Sequence, residues 1–234
     1  MRTLPAISIS FFFSLLIGSC GSAPIETKNA VRPIDTAKKV TKPGLQQAYF
    51  FIKNYKTPFE NAVVRIGNAD YVCTYKGRIS VTDTLQKHSR ELFDLKAEFM
   101  VDAIYILRHD SDYFVTWQET DHEGVKSYFA EYHAGNDKPK WKYSFLSPNP
   151  AAPVVDGRYA YVSTLGMVAK IDLDAGKFAW KHDSLFNQNN GGFKELDPAI
   201  VYPDKVVFVD KPIDGKRPKR DTVTCDPVTG KRIN

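Results

Sequence analysis

The 234-residue chain has only three cysteines, three methionines and three tryptophans, and beyond its first 17 residues it has no long apolar run. Cys20, Cys73 and Cys225 lie too far apart in sequence to form the paired spacing of a zinc site or a Cys-x-x-Cys redox motif. The sequence contains no Gly-x-Ser-x-Gly nucleophile elbow and no glycine-rich phosphate loop, which excludes the commonest hydrolase and nucleotide-binding signatures. Charge is nearly balanced, with 32 basic against 27 acidic residues and a formal net charge of +5. The basic residues are scattered except at 211–220 (KPIDGKRPKR), whose Pro and Gly fit a solvated hairpin loop. Nucleic-acid binding would need a basic face, so nucleic acid is not expected as a partner. The five histidines are His88, His109, His122, His133 and His182. His109-Asp110 and Asp121-His122-Glu123 have metal-ligand residue types but not the i, i+4 spacing of a strong site. They are expected in solvated turns, and no metal or cofactor is expected.

What the sequence does contain begins at its amino terminus. A basic Met1-Arg2 start leads into an apolar stretch at 4–17, diluted by Ser8, Ser10 and Ser14. That stretch is shorter than the roughly 20 residues a helix needs to cross a bilayer. It fits a cleaved secretion signal instead, covering 1–19. The run Ile17-Gly18-Ser19-Cys20 resembles the lipobox of bacterial lipoproteins. The resemblance implies diacylation of the Cys20 thiol, cleavage before it, and commonly a third acyl chain on the new amino terminus. Each buried methylene contributes about 0.8 kcal/mol and one chain alone binds marginally, so two or three chains make a lasting anchor. Gly21-Ser22 after the cysteine resembles the pattern that sends enterobacterial lipoproteins to the outer membrane.

Residues 20–44 then supply Pro, Lys, Thr and Ala without hydrophobic periodicity, the composition of a flexible tether. From 45 to 234 the pattern changes to short apolar or alternating runs separated by Gly, Asp, Asn and Pro, which reads as consecutive strands and turns. The 12 tyrosines and 15 phenylalanines suit strands rather than helical bundles. Residues 151–182 contain an Asp156-Gly157 turn, a Tyr159–Ser163 strand and a Leu165-Gly166 hairpin. An Ile171-Asp172 strand, an Asp174-Ala175-Gly176-Lys177 turn and a closing Phe178-Ala179-Trp180 follow. Copies start near 70, 112, 158 and 204, a period of roughly 45 residues and within the range of propeller blades. The chain is therefore expected to be all-β, a propeller of about four four-stranded blades. Either it forms a closed small ring, or it is an open array completed by dimerisation.

The copy at 151–182 resembles the repeat of pyrroloquinoline-quinone-type propellers; the match is fair at 197–233 and weaker in the earlier copies. The resemblance implies that Trp141 and Trp180 fill the spaces between blades. It does not extend to the chemistry of that family. Quinoprotein dehydrogenases have eight longer blades, a calcium site of Glu, Asn and Asp, and adjacent cysteines beside the cofactor. No two cysteines are adjacent here.

The last repeat leaves almost no room for an outermost strand, so 46–55 (QQAYFFIKNY) is expected to pair with the last blade and close the ring. In a closed ring Cys73 and Cys225 would lie on neighbouring blades, where a disulfide becomes conceivable if their Cα atoms come within about 7 Å. Trp117, Tyr128, Asn189 and Asn190 are the candidates for a ligand mouth. No catalytic residues are expected. The expected protein is a lipid-anchored, non-enzymatic binding or scaffold protein of the bacterial cell envelope with an envelope protein as partner. It resembles the lipid-anchored propellers that scaffold outer-membrane protein assembly, although those have eight blades. The alternatives are a carbohydrate or small-ligand binder, a periplasmic inhibitor or immunity protein, and a propeller hydrolase or lyase.

Overall fold

The computed structural model describes residues 47–50 (backbone only), 61–186, 192–211 and 221–233. They form four antiparallel sheets, each a run of strands consecutive in sequence, except that one also takes in the strand Gln47–Phe50. The first blade comprises β2 (Ala62–Ile66), β3 (Ala69–Cys73), β4 (Arg78–Asp83) and β5 (Ser89–Asp94). The second comprises β6 (Met100–His109), β7 (Asp112–Thr120), β8 (Val125–His133) and β9 (Trp141–Phe145), and the third β10 (Val154–Asp156), β11 (Tyr159–Thr164), β12 (Met167–Asp172) and β13 (Lys177–His182). The fourth has β14 (Ile200–Val201), β15 (Val206–Val209) and β16 (Thr222–Cys225), with a single bridge from Cys225 to Arg232 in place of an outer strand. The repeat starts near 70, 112, 158 and 204 fall at or just before β3, β7, β11 and β15, the second strand of each blade. Meandering sheets of this kind are propeller blades.

Three buried clusters join the blades in series. Cys73, Ile79, Leu92 and Phe93 pack with Ile104, Val115, Trp117 and Tyr132 between the first and second blades. Phe114 and Phe129 meet Val162, Ala169 and Ile171 between the second and third. Tyr161, Val168 and Trp180 meet Val206, Phe208, Val223 and Cys225 between the third and fourth. Among the described residues no buried cluster joins the fourth blade to the first.

A recurring turn aligns these interfaces. Asp83 Oδ1 accepts the N–H groups of Leu85 and Gln86 at 2.8 and 2.9 Å. Asp172 Oδ1 likewise accepts Ala175 N–H at 3.1 Å, and Asp226 Oδ1 accepts those of Val228 and Thr229 at 3.0 and 2.6 Å. Each turn then needs a left-handed residue four positions after its aspartate: Lys87 (φ 52°), Gly176 (φ 59°) and Gly230 (φ 72°). The two glycines serve a second purpose. A Cβ at Gly176 would overlap the Trp141 indole, and one at Gly230 would overlap Trp180. The outer-strand tryptophan of one blade thus lies flat on the turn of the next, as the repeat implied. Lys87, the left-handed residue of the first turn, is exposed.

Two expectations are corrected. Strand β1 (Gln47–Phe50) does not join the last blade; it adds to the inner edge of the second, pairing antiparallel with β6 from Gln47↔Leu107 to Phe50↔Ile104. The edge of β16 that it would have taken is already met by residues 232 and 233, through the Cys225–Arg232 bridge and Ile233 N–H donating to Thr224 O at 2.8 Å. Residues 46 and 51–55 of the expected closing segment lie outside the described residues. The disulfide is not formed either, because Cys73 and Cys225 are buried free thiols in two different clusters. Burial pushes the Cys73 thiol up to about 12.

Candidate functional site

The Leu165-Gly166 hairpin between β11 and β12 is locked in place from both sides. Leu165 N–H donates to Pro148 O at 2.9 Å, Gly166 N–H to Lys194 O at 2.7 Å, and Leu185 N–H to Gly166 O at 2.9 Å. Ser147 Oγ lies 2.7 Å from both Thr164 Oγ1 and Leu165 O, fastening the β9–β10 connection to the same hairpin. Between the second and third blades this framework leaves a cleft of about 340 Å³ whose wall includes Phe145, Leu146, Pro148, Met167 and Phe193. Lys181 and Asp183 form a 2.8 Å ion pair at its rim, with the Lys181 ammonium 5.2 Å from the Phe145 ring centre.

The outer part of the cleft is apolar and exposed. Leu146 is 85% exposed, and Phe186 and Phe193 are 49% and 45% exposed. The two rings stack at 4.6 Å, and their residues form an isolated bridge. Large apolar side chains normally leave water because each fully buried one gains roughly 1.5–3 kcal/mol. Leu146 and Phe193 line the cleft, and Phe186 extends the exposed apolar surface by stacking on Phe193.

The residues singled out from sequence lie elsewhere. Trp117 is fully buried, donating Nε1–H to Glu119 Oε1 at 2.7 Å, and Tyr128 stacks on it at 4.9 Å with 7% exposure. Burial, followed by the nearby Glu119 charge, pushes the Tyr128 phenol up to about 12. Neither ring offers a face to a ligand, which corrects their assignment to a mouth. Asn189 and Asn190 lie outside the described residues. Leu146, Phe186 and Phe193 were missed; their signal was large apolar residues flanking loop sequences (SPNP and NQNNGG), outside any strand alternation.

Of the histidines, His88, His122 and His133 are exposed, while His109 and His182 are partly buried on strands. His109 Nδ1 lies 3.1 Å from Glu131, whose other oxygen accepts Trp141 Nε1–H at 3.0 Å. His133 Nδ1 lies 2.8 Å from Asp112, which also binds Lys140, and His182 Nε2 lies 2.7 Å from Gly230 O. Burial alone would raise the Asp112 carboxyl, but Lys140 and His133 outweigh it and hold the group below the usual carboxylate range. Among the described residues no three His, Cys, Asp or Glu side chains are grouped to hold a metal ion.

Neither a family model nor a curated protein matches the chain. Among solved structures it is similar to BamB from Moraxella catarrhalis, with 13% identity over 64% of this chain and 41% of that one and a TM-score of 0.40. It is also similar to a europium-containing methanol dehydrogenase (15% identity, 80% and 43% coverage, TM-score 0.46) and to the WD40 domain of SCAP from fission yeast (10% identity, 82% and 48% coverage, TM-score 0.40). The chain spans less than half the length of each of these three.

Proposed function

We propose that this chain is a lipid-anchored binding protein of the bacterial cell envelope, acylated at Cys20 and directed by Gly21-Ser22 to the outer membrane. It engages a protein partner through the cleft between the second and third blades. The observation that carries the reading is the exposed Leu146 and Phe193 lining a recess, with Phe186 stacked on Phe193 and an ion pair at the rim. Apolar anchors ringed by polar groups are how protein interfaces concentrate their affinity. Trp117 and Tyr128, two of the four residues named for a ligand mouth, are buried and do not support a carbohydrate-binding reading.

The test is a photoreactive residue at Leu146 in the acylated protein, irradiated in native membranes. A stoichiometric adduct to another envelope protein, abolished by Phe193→Asp, supports the reading. Adducts to lipid alone, or none, count against it. Cys20→Ala separately tests the anchor: the protein should move to the soluble fraction, and retention in the membrane would overturn lipidation.

A further inference from the structure

The turn that follows the third strand of a blade seats on the outer strand of the blade before it, and this joint recurs at all three interfaces. Gly135 N–H donates to Leu92 O at 2.6 Å and Asp94 N–H to Asp137 Oδ1 at 2.9 Å. Tyr143 donates its hydroxyl to Gly176 O at 2.7 Å, and His182 Nε2 lies 2.7 Å from Gly230 O. The turns at 83–88, 133–140, 172–177 and 226–231 therefore share one end of the blades. The Leu165-Gly166 hairpin, and with it the cleft, belongs to the other end, a strand's length away. Strand β6 runs toward the turn end, where His109 stands opposite Asp112 and Asp112 opposite His133. Strand β1 runs the other way, with Gln47 opposite Leu107 and Phe50 opposite Ile104. The chain coming from Cys20 thus joins the sheet at the turn end and proceeds toward the cleft end.

Two of the turns carry apolar tips. Leu85 and Val228 are 74% and 78% exposed. Single exposed apolar residues are common, but these two hold one equivalent position, two residues after Asp83 and two after Asp226. Both turns are closed by the same bond, Asp83 N–H to His88 O at 2.9 Å and Asp226 N–H to Lys231 O at 2.8 Å. With the aspartate oxygens also holding the Leu85 and Val228 amides, the tips are fixed outward. The third blade shows the contrast: its apolar turn residue is Leu173, one position earlier and fully buried, and the tip is the exposed Asp174. Exposed basic residues follow each apolar tip, Lys87 and Arg90 after Leu85, Lys231 and Arg232 after Val228. An apolar group beside cations is the chemistry of an interfacial membrane contact, the one entering the headgroup boundary and the other meeting anionic lipid.

We infer that the turn end of the blades seats on the membrane that holds the Cys20 acyl chains, with Leu85 and Val228 among the lipid headgroups and the cleft opening away from the bilayer. A coil of 26 residues, the number at positions 21–46, spans roughly 25–30 Å. That is close to the length of β6, about 30 Å for its ten residues. The end at which the chain enters thus reaches the bilayer first, whereas seating the cleft end would draw the whole tether along the blades. The inference rests on the anchor reading above, because two tips bury too little apolar surface to hold the protein on a bilayer without the acyl chains. It deepens the cleft reading as well: the partner approaches from the side away from the membrane.

The experiment places an environment-sensitive fluorophore on Leu85→Cys, on Val228→Cys, or on Glu123→Cys in the β7–β8 hairpin of the cleft end. Each is the full acylated chain in phosphatidylethanolamine–phosphatidylglycerol vesicles whose lipids carry a nitroxide quencher near the headgroup. All three sites are exposed and Cys73 and Cys225 are buried, so the unsubstituted chain supplies the labelling background. The label at Leu85→Cys and at Val228→Cys should shift to the blue and lose most of its emission to the quencher, while that at Glu123→Cys keeps its own. Flotation with the vesicles but no quenching at either tip, or quenching at Glu123→Cys as strong as at the tips, would overturn this inference alone. A blue shift at the tips that the lipid quencher does not touch would assign them to contact between protein copies and overturn it too. Failure to float would overturn the anchor reading and this inference with it.

Discussion

Trp180 rests on Gly230, and its indole N–H points at the carbonyl of Pro227 at 3.4 Å. Lys170 Nζ donates to the same carbonyl at 2.6 Å, and His182 Nε2 lies beside Gly230 O at 2.7 Å. One five-residue turn thus gathers much of the polar contact between the third and fourth blades.

Replacing Gly230 with alanine imposes two penalties together, a Cβ inside the Trp180 ring and a left-handed φ of 72°. A loss of about 2–4 kcal/mol is expected. Trp180→Ala, which empties a site only 8% exposed, should cost about 3–5 kcal/mol. In a double-mutant cycle followed by urea unfolding, the two losses should be less than additive because each removes the same contact.

Asp112 sets an acid limit on stability. Its carboxyl is held below the usual range in the folded state, so it binds a proton less readily there than in the unfolded chain, where the value is about 3.9. Its contribution is complete above that unfolded value and is lost as pH falls through the lower folded one. Asp112→Asn should melt below wild type at pH 7, and the gap in Tm should close as pH drops below about 4. A gap that is constant with pH would mean that Asp112 acts through packing alone.

Cys73 and Cys225 should both titrate as free thiols in denaturant and resist a thiol reagent in the folded state. Burial raises both above the ordinary thiol value and so suppresses the reactive thiolate. Identical mobility of the Cys20→Ala protein on reducing and non-reducing gels would agree; a mobility shift would restore the bridge.

Deleting Gln47–Phe50 should leave the inner edge of β6 with unpaired backbone groups across Ile104–Leu107. Aggregation on warming is the expected result, read by light scattering, because long open edges recruit other strands. An unchanged scattering and melting profile would show that β1 contributes nothing to the sheet.

The blades themselves were legible in sequence because their turns are spelled by residues with one conformational use. Asp172 and Gly176 mark a cap and a left-handed position, and the spacing to Trp180 follows from the hairpin between them. The partner of β1 was not legible, since a strand's own residues do not say which neighbouring edge is free to receive it. Trp117 was misjudged for a related reason. It sits on a strand whose residues 112–117 are all buried, so both faces are covered and no register would expose it. The cleft was hidden because Leu146 belongs to a loop, and Phe186 and Phe193 meet only across an isolated bridge, where no periodicity separates an anchor from a spacer.

The pairing of β1 with β6 also determines where a mechanical load enters the molecule. Tension arriving from the amino-terminal side of Gln47 would reach the second blade before the first, although the first follows β1 in sequence. The sheet that bears the pull is thus the longest-stranded one, packed between two neighbours, and the small fourth blade is spared.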